Sequence, residues 1–290
     1  EKNPIPVTYS GSATDTYADD FPNSIGSVGI MGCTRAGNFT VQNSDLLLVL
    51  GSRLSSMTTG PDIKKFAREA KVIIVDIDSL EHSKSCLNID RLVIGDVKKV
   101  IISLSKKKIN NTSKNWLDKC QHWKKIFPRL EDHNKSEKLV DLYQIADSLS
   151  KTMPDNSLLV TDSGMIELVL PTNINFKKSQ RCIHPASQGS MGFALPGIIG
   201  AYFASKKLPI TVVGDGSVMM NLQELATIRY NNIPAKIFIV NNNAYAVIRK
   251  RMIELFRRTI GTDSENGVGC PEFSKVAQSF DLKYVKIDSN

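Results

Sequence analysis

Apolar residues along this chain fall into two rhythms. Unbroken runs of strand length, "DLLLVLG" (45–51), "KVIIVDID" (71–78) and "RLVIGD" (91–96), alternate with stretches whose apolar positions recur every three or four residues. Continuous runs separated by helical stretches belong to parallel sheets covered on both faces. The first set predicts helices over 61–70, opened by Pro61, and over 97–104. Between 106 and 136 the chain turns polar and basic. Here one amphipathic helix carries Trp116, Leu117, Cys120, Trp123 and Ile126, and Pro128 ends it. From 137 the alternation resumes, with helix over 138–153, strand over 157–164, a loop, helix over 192–204, strand over 209–216, helix over 221–231, strand over 235–243 and helix over 246–256. The predicted fold class is α/β, two doubly wound parallel-sheet domains at 1–108 and 137–290 joined by a linker at 109–136.

Length and composition agree with that picture and narrow the function. A chain of 290 residues holds two ordinary domains, and 41% hydrophobic with 23% charged residues describes a globular protein, neither disordered nor membrane-embedded. The most apolar stretch, "MGFALPGIIGAYFA", is too short for a span and contains Pro196. A net charge of +8 raises the question of nucleic acid, but the basic residues cluster only in "SKKKINNTSK" and "RKRMIELFRR". These read as a solvated linker and a basic helix face, so no nucleic-acid and no membrane partner is expected. Cys33, Cys86, Cys120, Cys182 and Cys270 are scattered with no C-x-x-C pair, as in a cytoplasmic protein with reduced thiols and no zinc site. The four histidines lack metal-ligand spacing.

Chemistry concentrates at two strand ends. "ITVVG" runs into Asp215 and "KIFIV" into Asn242, with one crossover helix between. Ligands of open parallel sheets bind beyond the carboxyl ends of the strands, so adjacent strands would bring these two residues to one pocket. A carboxylate, an amide oxygen and a nearby backbone carbonyl suit Mg²⁺, which commonly shares such a site with phosphate oxygens. Gly214 and Gly216 let the backbone turn tightly, and a helix starting at Ser217 can face an anion.

The pair "GDGSVMMNLQELATI" and "IPAKIFIVNNNAY" resembles the thiamine-diphosphate motif of the acetolactate synthase and pyruvate oxidase family, in which GDG is followed by NN just under thirty residues later. "SQGSMGFALPGIIGA", "GIMGCTRAGNFTVQNSDLLLVLGSRL" and "VDIDSLEHSK…VIGDVK" are similar to further motifs of that family, in the family's order. The resemblance implies a Rossmann-like central domain followed by a thiamine-diphosphate-binding domain. It implies that Asp215, Asn242 and the Ala244 carbonyl hold Mg²⁺, and that Gly216, Ser217 and the amides around Tyr245 and Ala246 hold the diphosphate. Met191 matches the bulky residue that keeps the cofactor bent, and Gly164 and Gly189 match loop glycines that pass close to it.

The implied activity is decarboxylation of a 2-keto acid, pyruvate first, with carboligation to a second carbonyl. The alternatives are a sibling enzyme (a keto-acid decarboxylase or a sugar-modifying carboligase) and a non-catalytic nucleotide- or partner-binding module. The family's catalytic glutamate lies on an amino-terminal domain that these residues do not resemble. The chain therefore reads as a piece of a longer enzyme, with no catalytic residue of its own and no activity alone. The complete chain would form a homodimer or tetramer and meet a regulatory subunit. Departures touch substrate and flavin. Arg53 is kept, but Ser55, Ser56 and Met57 stand where acetolactate synthases have Asp-Asp-Arg, which weakens the expectation of FAD. Met165 and Ile166 replace Gln-His, Val247 replaces a methionine, and Arg251 replaces a tryptophan. Arg251 reads either as a partner for an acidic or phosphorylated acceptor or as a surface residue of a basic helix.

Overall fold

The computed structural model describes residues 3–83, 87–107, 109, 113–131, 140–186 and 188–288. Cys86, Ser187, Lys138, Leu139 and part of the 105–114 basic stretch lie outside the described residues. The chain divides into two compact units, Glu1–Arg129 and Leu130–Asn290.

In the first unit β1 (Val7–Ser10) and β2 (Ser24–Val28) form a parallel pair, followed by α1 (Arg35–Gln42). Strands β3 (Leu46–Leu50), β4 (Lys71–Asp76) and β5 (Arg91–Ile94) form a parallel sheet in the order β3-β4-β5. The short α2 (Ser56–Thr59) follows β3, and α3 (Val97–Ser105) and α4 (Lys114–Ile126) complete the unit. Val28, Val41, Val49, Phe66, Val72 and Ile74 pack into one core, but the cover on both faces that the continuous apolar runs predict is not complete here: Leu46, Leu48 and Leu50 of β3 are exposed.

The helix expected over 61–70 is not formed. Only a 3-10 turn at Ile63–Lys65 is present, after which Phe66 is extended and Ala67 adopts φ 48°. Phe66 and Ala67 are buried in the core, and a chain that must enter β4 four residues later turns sharply rather than winding on. Tertiary burial overrides a helical pattern of propensity.

The linker also needs correction. Helix α4 sits inside the first unit, where Leu117 and Cys120 are buried against Ile25 and Ala36 and Trp116 and Trp123 flank them. Its amphipathic stripe is a core face. Beside it lies a buried ionic cluster: Arg129 Nη2 is 2.7 Å and Lys124 Nζ 3.6 Å from the Asp19 carboxylate, and Arg129 donates to Tyr9 Oη at 2.9 Å. Burial pushes the Tyr9 hydroxyl up to about 12.

The second unit opens with α5 (Leu142–Thr152), which Asp141 and Gln144 start as a capping box, so the helix begins later than the apolar periodicity implies. There follow β6 (Ser157–Thr161), α6 (Met165–Asn173), β7 (Arg181–Ile183), α7 (Ala194–Ser205), β8 (Leu208–Gly214), α8 (Asp215–Val218), α9 (Glu224–Tyr230), β9 (Lys236–Val240), α10 (Ala246–Phe256) and α11 (Phe273–Ser279). All four strands are parallel, in the order β7-β6-β8-β9. Leu158, Val160 and Val213 pack with α7 and α9 on one face, while Leu159, Ile210 and Val212 pack with α5 and α6 on the other. This is the two-sided covering of a doubly wound sheet.

Three expectations shift here. The segment read as a loop between 164 and 192 holds α6 and β7. The crossover helix starts at Glu224 instead of 221, behind a 3-10 turn at Met219–Asn221. The turn of helix after β8 begins at Asp215, not Ser217. Among the described residues, no helix is long and apolar enough to cross a membrane.

Candidate cofactor site

The order β7-β6-β8-β9 places a topological switch point between β6 and β8, because the chain leaves β6 toward β7 on one side and returns to β8 on the other. A crevice opens outside the strand ends at such a point. All eleven residues expected to contact cofactor or metal lie at that carboxyl edge: Gly164 after β6, Gly189 and Met191 after β7, Gly214 at the end of β8 with Asp215, Gly216 and Ser217 in α8, and Asn242, Ala244, Tyr245 and Ala246 between β9 and the start of α10.

Strands β8 and β9 are neighbours in register from Ile210 opposite Lys236 to Gly214 opposite Val240. Asp215 is therefore the first residue beyond the paired region on one strand, and Asn242 the second on the other. The Asp215 side chain is buried, and its two oxygens accept from the Gly216 amide at 2.7 Å and the Asn243 amide at 2.5 Å. One carboxylate thus ties the two loops together. Asn243 takes φ 53°, and Asn242 Oδ1 accepts from the Ala244 amide at 3.1 Å, closing an Asx turn. Ala244 bridges to Asp263, and the Tyr245 amide donates to the Thr262 carbonyl at 2.8 Å, so a second layer of chain supports the loop.

Glycine is required at 216 for a concrete reason. A Cβ there would lie 2.0 Å from Tyr245 Cε1, so the tyrosine ring rests directly on the turn. The start of α6 gathers the other loops. Ile166 approaches Gly214 (3.8 Å from a built Cβ to Cδ1), Glu167 approaches Gly189 (3.6 Å to Oε2), and Val247 approaches Gly164 (3.9 Å to Cγ2). Gly164 and Gly189 take φ 86° and 59°, conformations that side chains disfavour.

Four groups at this edge were not singled out from the sequence. Asp162, fully buried, accepts from the amides of Ser163, Gly192 and Ala194. Asn221 Nδ2 donates to the Gly192 carbonyl at 2.8 Å. Burial first, then the charge of Asp215, holds the Cys270 thiol above the ordinary thiol range. Glu167 is half-buried, and burial followed by the charge of Asp162 raises its carboxyl above the usual range. Arg251 lies on the exposed side of α10 and pairs with Glu254 at 3.2 Å.

The donor set suits a hard cation. Among the described residues no three His, Cys, Asp or Glu side chains converge, so a metal at this edge would draw on a single carboxylate, Asp215, with amide and carbonyl oxygens beside it. Mg²⁺ accepts such oxygen donors and keeps positions open for phosphate or water. Among the described residues no lysine or arginine pairs with the buried Asp215, which leaves its charge for a cation to balance.

An open parallel sheet whose switch point carries a buried carboxylate, glycine turns and oxygen donors defines a cofactor-binding α/β domain. The chain matches the thiamine pyrophosphate enzyme central domain over residues 1–104 and the thiamine pyrophosphate enzyme C-terminal TPP binding domain over residues 162–290. It belongs to the thiamine pyrophosphate enzymes, of which it carries these two domains. Among its relatives are a "Probable acetolactate synthase large subunit" of Methanococcus aeolicus (31% identical, 98% of this chain and 49% of the relative) and the acetolactate synthase large subunit of Cyanidium caldarium (31%, 99% and 49%). The acetolactate synthase large subunit of Buchnera aphidicola is similar at 30% identity, over 100% of this chain and 50% of its own length. The chain spans about half the length of the curated relatives it matches.

Proposed function

We propose that the protein to which these residues belong is a thiamine-diphosphate-dependent enzyme of acetolactate-synthase type, which decarboxylates a 2-keto acid and joins the remaining fragment to a second carbonyl. The observation that carries this is the buried Asp215 carboxylate, unpaired with any cationic side chain among the described residues and tied to the Asn242–Tyr245 loop across the β8/β9 strand ends. Asp215, Asn242 and the Ala244 carbonyl would hold Mg²⁺, and Gly216, Ser217 and the loop at Tyr245 and Ala246 would face the diphosphate. Met191 would press on the cofactor from the loop after β7, and Gly164 and Gly189 would let backbone approach it. Bound thiamine diphosphate supplies the electron sink for loss of CO₂. The protein's share is to orient it, exclude water and hold charge in place.

The relatives' name, acetolactate synthase large subunit, supports a 2-keto acid as donor and a further, regulatory subunit as partner; pyruvate as that donor and a homodimer or tetramer as the working form complete the reading. These residues are assigned the cofactor-binding share of that activity. The free thiols of Cys33, Cys120, Cys182 and Cys270 support a reducing compartment, the cytoplasm in this reading. FAD is left out of the proposal. The first unit's cavity at Arg53, Ser55, Ser56, Glu81 and His82 encloses about 330 Å³, at the small end for ligand pockets, and Arg53 faces Glu81 at 3.9 Å.

The test is a titration of the complete protein with thiamine diphosphate and Mg²⁺, followed by CO₂ release from pyruvate, with Asp215→Ala as the comparison. Metal-dependent binding and CO₂ release that both vanish in the variant are expected. Absence of binding by the unaltered complete protein would overturn the reading in favour of a non-catalytic module.

A further inference from the structure

Met191 is more than a third exposed (37%), and it stands on a loop between β7 and α7 where such a side chain could swing freely. The residue after it cannot. The Gly192 amide donates to Asp162 Oδ1 at 3.0 Å, its carbonyl accepts from Asn221 Nδ2 at 2.8 Å, and the Ala194 amide donates to Asp162 Oδ2 at 2.8 Å. Both peptide planes flanking Gly192 are therefore gripped, one of which includes the carbonyl of Met191. Packing closes the grip further. Gly192 takes φ 81°, and a Cβ on it would fall 2.6 Å from Met220 Cβ and 2.9 Å from Asn221 Nδ2.

The two gripping side chains come from different loops of the site. Asp162 lies fully buried at the end of β6, and it also accepts from the Ser163 amide at 2.9 Å. Asn221 sits six residues after Asp215, on the 3-10 turn that continues α8. The segment that would hold metal and diphosphate is thus joined by one hydrogen bond to the turn that carries Met191.

We propose that Asp162 and Asn221 are positioning residues that set the height of Met191 in the cofactor crevice and couple it to occupancy of the Asp215 turn. This deepens the proposed function and rests on it. Neither residue needs to touch the cofactor. Asp162 offers two acceptors spaced for two amides of one turn, a task that asparagine performs only by half, since its NH₂ faces an N–H donor. Asn221 supplies the opposing donor. Misplacement of a group beside a reacting centre by about 1 Å costs on the order of 100-fold in rate, so the grip matters even where affinity does not change.

The experiment uses the complete protein with Asn221→Ala, Asp162→Asn, Met191→Ala and the Asn221→Ala/Met191→Ala pair. In the protein without cofactor, amide hydrogen exchange at Gly192 and Ala194 is expected to speed up in both clamp variants. With thiamine diphosphate and Mg²⁺ added, affinity should stay within a few-fold of the parent. Deuterium exchange at the cofactor's reactive carbon should slow by roughly 10- to 100-fold, and the double variant should be no slower than the slower single one. Should Asp162→Asn fail to fold, Asn221→Ala carries the test alone. Unchanged exchange at the reactive carbon, or losses that multiply in the pair, would overturn the clamp while leaving the proposed function standing. No cofactor binding by the unaltered protein would overturn both.

Discussion

Asp19 in the first unit and Asp215 in the second are both buried carboxylates, stabilised in opposite ways. Asp19 in the first unit is met by Arg129 at 2.7 Å and Lys124 at 3.6 Å, with the Tyr9 hydroxyl at 3.3 Å from one oxygen. Asp215 in the second is held by two backbone amides, and among the described residues no cationic side chain pairs with it. A buried charge costs several kcal/mol unless it is paired and hydrogen-bonded. Where the chain supplies the counter-charge itself, the group is structural and ties α4 to the first two strands. Where it supplies only amides, as at Asp162 and Asp215, the carboxylate organises loops at the sheet edge where ligands bind, and Asp215 lies across the strand ends from the oxygen donors of the Asn242–Ala244 loop.

The sharpest way to break the comparison is to remove the structural counter-charge. Arg129→Ala leaves Asp19 buried beside one more distant ammonium and should destabilise the first unit by about 3–5 kcal/mol, the range for breaking a buried ion pair from one side. Urea denaturation measures it, and a loss under about 1 kcal/mol would mean that water reaches Asp19 and the contrast is unreal. Asp215→Asn tests the other side. Without ligand it should cost only about 1 kcal/mol, from one amide that loses its acceptor. With Mg²⁺ and thiamine diphosphate at a hundred times the parent's Kd, the parent of the complete protein gains about 2.7 kcal/mol and the variant gains almost none. Equal thermal shifts in parent and variant would sever Asp215 from the metal.

Gly216→Ala comes next, because its Cβ would fall 2.0 Å from Tyr245 Cε1. Overpacking of this kind costs about 1–3 kcal/mol. Adding Tyr245→Ala should recover most of the loss, and a double variant as unstable as Gly216→Ala would show that the strain lies in the backbone and not in the ring. The recovery is measured by thermal denaturation with no ligand present, so that it reports packing alone.

The same contrast explains what could be read in advance. Strands β6 and β8 stand out as continuous apolar runs because both of their faces are covered, whereas β3 is just as apolar in sequence yet leaves Leu46, Leu48 and Leu50 exposed on one face. β2 reads "SIGSV" yet every residue in it is buried, because Ser24 bonds Asp19 and Ser27 receives the Thr34 amide. Polar residues satisfied by partners far along the chain leave no apolar signature. Helix α6 was hidden by Pro171 and by burial around most of its circumference, which erases the amphipathic rhythm. Asp215 and Asn242 were legible because each ends a buried strand. Asp162 has the same setting, after "SLLVT" and before Gly164, but its partners are the amides of Gly192 and Ala194, about thirty residues away, and only the fold brings them together.

Glu167 gives the smallest effect and the finest test, since among the described residues neither a cationic side chain nor an amide pairs with it. Burial, then the charge of Asp162, raises its folded-state carboxyl above the ordinary 4.5. The folded protein therefore binds this proton more tightly than the unfolded chain does. The contribution to stability is complete below pH 4.5 and is lost as pH rises through the folded value. Glu167→Gln removes that dependence. Its melting temperature relative to the parent should climb as pH is raised from about 4 to 7 and then level off, with an amplitude of tenths of a kcal/mol because solvent still reaches half of the group. A flat difference would mean that Glu167 is solvated like a surface carboxylate. A difference that falls with pH would mean that an unseen cation sits beside it, and the edge would then resemble the Asp19 cluster after all.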